Sequence, residues 1–516
     1  MHVLARYVSL TLVGLVILTL FGVSLRDARD VDPASAMQAS HVSASDQTPT
    51  EDSAGARPNV VLILTDDMRA DDLEHMPLTR AAIGGAGIEY TNAISPHPLC
   101  CPARAELVTG QYAQNNGVQH NNGEHGGFQA LDPEQQLSTW FSEAGYQTGF
   151  VGKFLNGYSA DAVQPSGWDR WDALLPRVYN YSDFTFDNDG SPESFTDSYV
   201  TDAIGERTND LVRRFAAEDE PFFVYSWHLA PHYRLSQGQK LPPLVAERDR
   251  GKFTGLSSPS IADPAFNEEE ISDQPAQLRD RRKVSVDKVN EEYRARIGSL
   301  QAVDRAVGSL VTTLEEVGEL DNTYIVFSSD NGYSMGEHRL IGKNILTSQA
   351  LRVPLLVRGP DVSPGSTSDL PVSLVDLPAT FVAAGGVKPT WVLDGVPLQT
   401  SMAGQTQAFR TTTLIQTGSN DEDGWALRGA HTQRYVYGRD GDEGVLYDLQ
   451  VDPHALENVF GDPRYEAVQE ALDQRRATLM TCAGWTCNQD FGPLPEPEPE
   501  PAQKRTSGDR SFRSRH

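Results

Sequence analysis

The chain has 516 residues, with 71 acidic side chains against 43 lysines and arginines and a formal net charge of −28. Such a surplus excludes a protein whose whole surface binds nucleic acid or anionic lipid, so an anionic substrate would have to be met by a local positive pocket. The length exceeds that of an ordinary single core and predicts a large domain with a smaller one attached.

The N-terminus carries an export signal. Arg6 precedes an uncharged apolar run over residues 7–25, and small and polar residues follow it. The run is longer than the about 7 to 15 residues of a signal-peptide core and close to the about 20 that span a bilayer. Residues 1–36 are therefore predicted to be a signal peptide, cleaved near Ala34-Ser35-Ala36, or an N-terminal membrane anchor. Residues 37–57 are expected to be a disordered linker, and the protein to be extracytoplasmic, either secreted or tethered.

Four cysteines occur as two pairs. Cys482 and Cys487 are most simply a small structural disulfide of an oxidising compartment. Cys100 and Cys101 are adjacent in sequence, and adjacent cysteines rarely bond to each other without backbone strain. The early pair therefore needs another explanation.

From residue 58 onward, apolar β-branched runs alternate with segments of helical spacing, which indicates an α/β sheet. The predicted strands cover 59–64, 147–153, 221–228 and 324–329, and the predicted helices cover 133–145 and about 290–317. In such a sheet, binding residues gather beyond the carboxyl ends of the strands. Lys153 ends one of these strands, Asp66 and Asp67 follow another, and Asp330 and Asn331 follow a third.

Two further regions complete the predicted organisation. Residues 235–283 are polar and irregular, which indicates a long surface insertion near the mouth of the site. Short strands at 434–438 and 445–449 and a helix at 465–480 predict a C-terminal α+β subdomain. The predicted boundaries are 58–400 for the catalytic domain and 401–490 for the subdomain. The Glu-Pro-rich and then basic residues 491–516 are expected to be a disordered tail.

The aspartates and the asparagine at the strand ends are hard oxygen donors. Without histidine or cysteine, such donors select calcium or magnesium rather than zinc. Taken singly, Asp-Asp after a strand is usually a helix cap, and Asp-Asn-Gly is usually a turn. From these residues alone, a metal site and ordinary structural uses both remain open.

The segment Leu-Cys-Cys-Pro-Ala-Arg at 99–104, continued by Ala-Glu-Leu-Val-Thr-Gly-Gln-Tyr at 105–112, resembles the signature of the sulfatase family. With the companion motifs, the resemblance extends from about residue 58 to residue 487. It implies an alkaline-phosphatase-like three-layer α/β/α sandwich with a smaller C-terminal α+β subdomain. It also implies that a separate formylglycine-generating enzyme oxidises Cys100 to formylglycine (3-oxoalanine), which forms a sulfoenzyme intermediate when a sulfate monoester is cleaved.

The same resemblance implies roles for eight other residues. Asp66, Asp67, Asp330 and Asn331 would bind Ca²⁺. Arg104 and Lys153 would hold the formylglycine hydroxyls, while His232 and Lys343 would contact sulfate and donate a proton to the leaving oxygen.

One departure from the family pattern concerns the segment Gly-Lys-Phe-Leu-Asn-Gly at 152–157, where many sulfatases read Gly-Lys-Trp-His-Leu-Gly. The missing histidine is usually the base for sulfate release, and the sequence does not rank His120, His125 or His338 as its replacement. The variant resembles the branch with N-acetylglucosamine-6-sulfatases and heparan endosulfatases. It implies a sulfated small molecule or glycan as substrate, with an N-acetylglucosamine-6-sulfate-like sugar as the specific expectation, and the acidic composition predicts no nucleic-acid partner.

The sequence leaves two alternatives. Phosphonate monoester and phosphodiester hydrolases of the same superfamily also use formylglycine, but extra histidine and aspartate ligands would mark them, and no clear added histidine set is present. The second alternative is an inactive anionic-glycan binding protein that is never converted at Cys100. The intact cysteine, metal ligands and cations argue against such decay.

Overall fold

The computed structural model describes residues 57–499 except 177, 407 and 420–423. The predicted leader at 1–36, all but the last residue of the predicted linker at 37–57, and residues 500–516 of the predicted tail lie outside the described residues. Within the described part of the chain, no helix has both the length and the apolar character that crossing a membrane requires.

The described residues form the following β-strands and α-helices. The strands are β1 (Asn59–Thr65), β2 (Ile88–Tyr90), β3 (Ala93–Ile94), β4 (Gln147–Gly152), β5 (Arg170–Leu174), β6 (Phe184–Asn188), β7 (Ser191–Phe195), β8 (Phe222–Trp227), β9 (Arg234–Ser236), β10 (Gln239–Leu241), β11 (Thr323–Ser329), β12 (Ser334–Met335), β13 (Ile341–Gly342), β14 (Leu355–Arg358), β15 (Ser366–Ser368), β16 (Val372–Ser373), β17 (Thr413–Gly418), β18 (Trp425–His431), β19 (Tyr435–Asp440) and β20 (Glu443–Asp448). The α-helices are α1 (Pro77–Thr79), α2 (Cys100–Thr109), α3 (Ala113–Asn116), α4 (Leu137–Glu143), α5 (Val200–Phe215), α6 (Ala276–Arg279), α7 (Val286–Glu316), α8 (Ser348–Leu351), α9 (Asp376–Gly385), α10 (Gln399–Met402) and α11 (Glu466–Leu479).

A ten-stranded mixed sheet has the order β15-β2-β14-β11-β1-β8-β4-β5-β6-β7. Its four central strands β11, β1, β8 and β4 are mutually parallel, as the apolar runs predicted. Toward the edges the pairing changes, because β14 is antiparallel to β11 and β6 is antiparallel to β5. The parallel centre brings four carboxyl ends to one edge of the sheet.

Helices cover both faces of this sheet. Along β1, Val60, Leu62 and Leu64 belong to a core shared with α2, α4 and α9. The alternate residues Val61 and Ile63 belong to a second core shared with α5 and α7. Because successive side chains of a strand point to opposite faces, a strand buried on both faces reads as one continuous apolar run. The predicted three-layer α/β/α sandwich is confirmed.

The predicted helices are present, but their limits differ. Helix α7 begins at Val286, four residues before the predicted start, because the Ser285 side chain accepts a hydrogen bond from the Lys288 amide (3.4 Å) and caps the first turn. Helix α4 begins only at Leu137, because Gln136 is still extended. The polar residues 133–136, predicted as the first turn of this helix, lie outside it.

The C-terminal region forms a separate antiparallel sheet in the order β17-β18-β19-β20, with α11 packed against β18. Its core includes Tyr435, Tyr437 and Leu472. The predicted α+β character and the predicted disulfide between Cys482 and Cys487 are confirmed. The domain boundary at residue 400 stays a prediction.

Candidate active site

The residues that directly follow the central strands lie side by side at the carboxyl edge of the sheet. Thr65 pairs with Ser329 across β1 and β11, so Asp66 and Asp330 leave the sheet at one level. Leu64 and Gly152 both pair with Trp227, which places Lys153 beside them. Gly152 is required here, since at its φ of +115° a Cβ atom would lie 1.9 Å from the Trp227 carbonyl oxygen. The strand-end residues that the sequence singled out therefore meet at one edge.

The acidic residues at this edge are tied to one another. The Asp67 amide donates to Asp330 Oδ1 (3.1 Å), and Asn331 Nδ2 donates to Asp67 Oδ1 (2.8 Å). All four predicted metal ligands, including Asp66, are fully buried. Burial disfavours the Asp67 carboxylate, but the Lys343 ammonium group holds the pKa of Asp67 below its usual range. Asp67 is thus ionised.

Cys100 opens α2, directly after the extended residue Leu99. Its Sγ lies 3.5 Å from Asp66 Oδ1 and 2.7 Å from Lys343 Nζ. Burial, followed by the Asp66 carboxylate, raises the pKa of the Cys100 thiol to about 12, although Lys153 and Lys343 act in the opposite direction. The thiol is therefore protonated at neutral pH and lacks the thiolate that cysteine nucleophiles use.

Three cations balance the three carboxylates of the cluster. Lys153 Nζ contacts Asp66 Oδ2, and Lys343 Nζ contacts Asp67 Oδ1. Arg104 Nε donates to Asp330 Oδ2 at 2.9 Å, and its Nη1 donates to the Lys153 carbonyl at 2.6 Å. Burial opposes the charge on Lys153, yet Asp66 raises the pKa of its ammonium group above the usual value.

His232 completes the cluster. Its Nε2 lies 3.6 Å from Asp67 Oδ2, and its Nδ1 lies 2.8 Å from the Tyr233 carbonyl oxygen. One ligand atom each from Asp66, Asp67, Cys100 and His232 lies within 4.8 Å of the other three. All nine residues predicted from the sequence are brought together, each in contact with at least one of the others. An acidic site able to hold a metal ion thus lies beside the predicted nucleophile position.

The sequence also matches known protein families that fit this arrangement of residues. Residues 58–387 match the family described as Sulfatase, and residues 336–481 match the C-terminal region of N-sulphoglucosamine sulphohydrolase. The chain belongs to the sulfatase family.

Relatives of this sulfatase agree on the reaction class. Human N-acetylglucosamine-6-sulfatase is 32% identical over 492 residues, covering 84% of this chain and 86% of the relative. The arylsulfatase of Volvox carteri is 30% identical over 503 residues, covering 86% of this chain and 77% of the relative. A protein solved in complex with its substrate D-glucosamine-2-N,6-O-disulfate has the same fold, with a TM-score of 0.69, 23% identity, and 82% and 97% coverage of the two chains. The chain is a sulfuric ester hydrolase.

The structure adds residues to this sulfatase site that the sequence did not indicate. Tyr179 stacks on His232 with ring centroids 4.4 Å apart, and Lys153 Nζ lies 5.0 Å from the centre of the Tyr179 ring. The Tyr179 hydroxyl donates to Asn156 Oδ1 (3.0 Å), and Asn121 Oδ1 accepts from the Cys101 amide (2.8 Å). Tyr179 and Asn121 lie in loops, where no periodic pattern marks a position. Asn156 was visible in the sequence only as a departure from the family motif.

The three histidines named as candidates for the missing base stay predictions. None of His120, His125 and His338 belongs to the converging group of ligand atoms found among the described residues. His338 is buried with Nδ1 2.7 Å from Glu268 Oε2. Glu268 belongs to the predicted insertion at 235–283, which also contacts the loop leading to Lys343, since the Asn267 amide donates to the Gly336 carbonyl (2.9 Å). The insertion thus lies against the site.

Proposed function

We propose that this sulfatase hydrolyses sulfate monoesters of a sulfated carbohydrate, with formylglycine at position 100 as nucleophile and Ca²⁺ as its metal ion. The arrangement around Cys100 carries the proposal. Its sulfur lies between the Asp66 carboxylate and the Lys343 ammonium group, two of the charged groups at the carboxyl edge of the sheet. A protonated thiol in this place has no use as an ordinary cysteine nucleophile. A hydrated formylglycine supplies two geminal hydroxyls there, one to attack sulfur and one to expel sulfate.

The oxygen atoms of Asp66, Asp67, Asp330 and Asn331 would hold the calcium ion. The residues fit such an ion, because Asp67 Oδ2 is buried without a hydrogen-bond partner in the described structure. Asn331 directs its Nδ2 toward Asp67, and its Oδ1, which accepts from Lys343 Nζ (3.4 Å), is a further oxygen ligand atom. Bound calcium supplies a Lewis acid for a sulfate oxygen and lowers the pKa of a neighbouring hydroxyl.

The buried cations would stabilise the charge that develops on the sulfate oxygens. Arg104 Nη2 has no hydrogen-bond partner among the described residues and lies 3.7 Å from Asp66 Oδ2. Lys153 and Lys343 already contact the carboxylates beside position 100. Fixed donors in a dry site need no reorganisation during the reaction, so we assign Arg104 and Lys153 to the nucleophile and Lys343 to the sulfate group.

His232 would exchange the proton of the leaving group. A carbonyl oxygen only accepts hydrogen bonds, so the contact with the Tyr233 carbonyl requires a proton on Nδ1 of His232. Nε2, which faces Asp67, is then the nitrogen that gains and loses a proton. The stacked Tyr179 ring holds the imidazole plane in this orientation.

For the substrate, we propose a sulfated amino sugar resembling N-acetylglucosamine-6-sulfate. The proposal is supported by the human relative and by the disulfated glucosamine bound to the structural neighbour. We also propose an extracytoplasmic location, supported by the predicted leader and by the disulfide. A formylglycine-generating enzyme would then be the maturation partner.

Mass spectrometry of the tryptic peptide containing Cys100, from protein made in its own host, tests the proposal. We expect a mass that corresponds to an aldehyde in place of the thiol. Cys100→Ala should abolish aryl sulfate turnover without unfolding the protein, whereas the matched variant Cys101→Ala should keep both the conversion and the turnover. An unmodified thiol throughout the protein would refute the assignment and favour an inactive glycan-binding protein. Unchanged turnover in Cys100→Ala would show that position 100 is not the nucleophile.

A further inference from the structure

A buried arginine on α7, Arg296, contacts the backbone of the candidate site. Arg296 is 1% exposed and lies on the apolar side of the helix, between Tyr293, Ile297 and Leu300. A guanidinium group in such a stripe must be compensated by hydrogen bonds or by an opposite charge. The nearest carboxylate is that of Asp72, which is 3.8 Å away, too far for a hydrogen bond.

Backbone carbonyl groups and an aromatic ring compensate the guanidinium in part, while its Nε has no hydrogen-bond partner among the described residues. Its Nη2 donates to the Asp67 carbonyl, and its Nη1 donates to the Pro231 carbonyl (3.3 Å). The Tyr333 ring lies 4.5 Å from its Cζ. Each of these three residues is a site residue or lies within two positions of one. One buried cation thus joins the loops that follow β1, β8 and β11.

The backbone of Asp67 explains why such support is needed. Asp67 has a φ of +69°, which is uncommon for a residue with a Cβ atom. Glycine would adopt this conformation freely but has no carboxylate to offer. In this conformation, the Asp67 carboxylate reaches Asn331 and Lys343 while its carbonyl points to Arg296.

We propose that Arg296 is a positioning residue that sets the direction in which Asp67 and His232 face the metal ion and the sulfate group. The inference rests on the proposed function in that it takes Asp67 as a metal ligand. Arg296 itself touches neither substrate nor metal. It acts by fixing the Asp67 carbonyl and the residue before His232.

The test compares two arginines of the same helix. Arg305 lies further along α7 and pairs with Asp249 through Nη1–Oδ1 (3.0 Å) and Nη2–Oδ2 (2.6 Å) contacts, without touching any predicted site residue. Arg296→Met, Arg296→Lys and Arg305→Met are made in the full chain. Calcium binding to the metal-depleted proteins is measured by calorimetry, and kcat and KM are measured with an aryl sulfate at saturating calcium.

We expect Arg296→Met to weaken calcium binding about tenfold or more and to lower kcat, as loss of support behind a metal ligand typically does. Arg305→Met should lower the melting temperature but leave calcium binding and kcat unchanged. Arg296→Lys should be intermediate, because a single ammonium group lacks the planar fork that reaches two carbonyls. Calcium affinity and kcat in Arg296→Met equal to those of Arg305→Met would overturn the proposal.

A second variant and the choice of ion keep the positioning role of Arg296 testable. If Arg296→Met does not fold, Arg296→Lys decides, and parental calcium affinity and kcat in this folded variant would refute the positioning role. The parent enzyme is titrated with calcium first, and if another divalent ion activates it instead, that ion replaces calcium for all three variants. A failure of the calcium assignment therefore appears in the parent, and a failure of the Arg296 role appears in the difference between variants.

Discussion

The carboxyl edge of the large sheet and the C-terminal sheet use charge in opposite ways. At the edge, Arg104 and Asp330 form an ion pair in which both side chains are 0% exposed. In the C-terminal region, Arg439 and Asp473 pair at 33% and 36% exposure, around an apolar core closed by a disulfide. Buried ion pairs often add little stability, because desolvation offsets their attraction. The edge is therefore arranged for chemistry and the C-terminal sheet for stability.

This difference between the two regions can be tested by mutation. Changes at the edge should lower turnover more than stability, and changes in the C-terminal region should do the opposite.

Removal of the metal ion should have the largest effect. A Lewis acid contributes several kcal/mol to transition-state stabilisation, so chelation should lower aryl sulfate turnover by more than about 1,000-fold, which is about 4 kcal/mol. Calcium should restore turnover better than zinc, because the proposed ligands are all oxygen atoms, and better than magnesium or manganese, because calcium is the ion proposed for this site. Turnover is measured after chelation and re-addition of each ion. Better recovery with manganese or zinc would favour a phosphonate monoester or phosphodiester hydrolase.

The second prediction concerns Lys343, whose ammonium group contacts both Asp67 and Cys100. Lys343→Met should lower kcat about 100- to 1,000-fold, the typical loss when one fixed donor to a developing charge is removed. Calcium affinity should not fall, since removing the ammonium group beside Asp67 does not weaken the attraction between the Asp67 carboxylate and Ca²⁺. The exposed Lys388 offers the control Lys388→Met, which should behave as the parent. A kcat within threefold of the parent would show that Lys343 is structural.

The edge was also the more predictable region. Each of its strands is buried on both faces, so each reads as a continuous apolar run that ends abruptly in a polar residue. That contrast marks Asp66 and Asp330 without knowledge of the fold. The family resemblance then supplied Arg104, His232 and Lys343, for which no periodicity argument exists.

Residues placed by tertiary packing could not be predicted in this way. Strand β2 has three residues and β15 has three, too few to show a period, so the mixed edge of the sheet was invisible. Arg296 and Tyr179 matter because of what lies opposite them in space. Arg296 even violates the pattern of its helix, since a charge occupies an apolar position. Such a violation is the signal that could have identified it.

The smallest effect is expected from the disulfide. Replacing Cys482 and Cys487 by serine opens a loop with a sequence separation of 5, and chain entropy then predicts a loss of about 2 kcal/mol in the free energy of unfolding. Denaturant unfolding of the double variant, beside the parent protein with and without reductant, measures this loss. We expect kcat and KM within twofold of the parent.

This last variant tests whether the two regions are independent, because one link between them passes close by. The Asn115 side chain, in α3 just after α2, donates to the Cys482 carbonyl (2.9 Å) and to Asp394 (2.8 Å). Serine keeps the carbonyl, and the Asp394 bond does not involve the sulfur atoms, so α2 and Cys100 at its start should stay in place. A fall in kcat without a matching loss of stability would show that the disulfide loop positions α2, and the division between the two regions would fail.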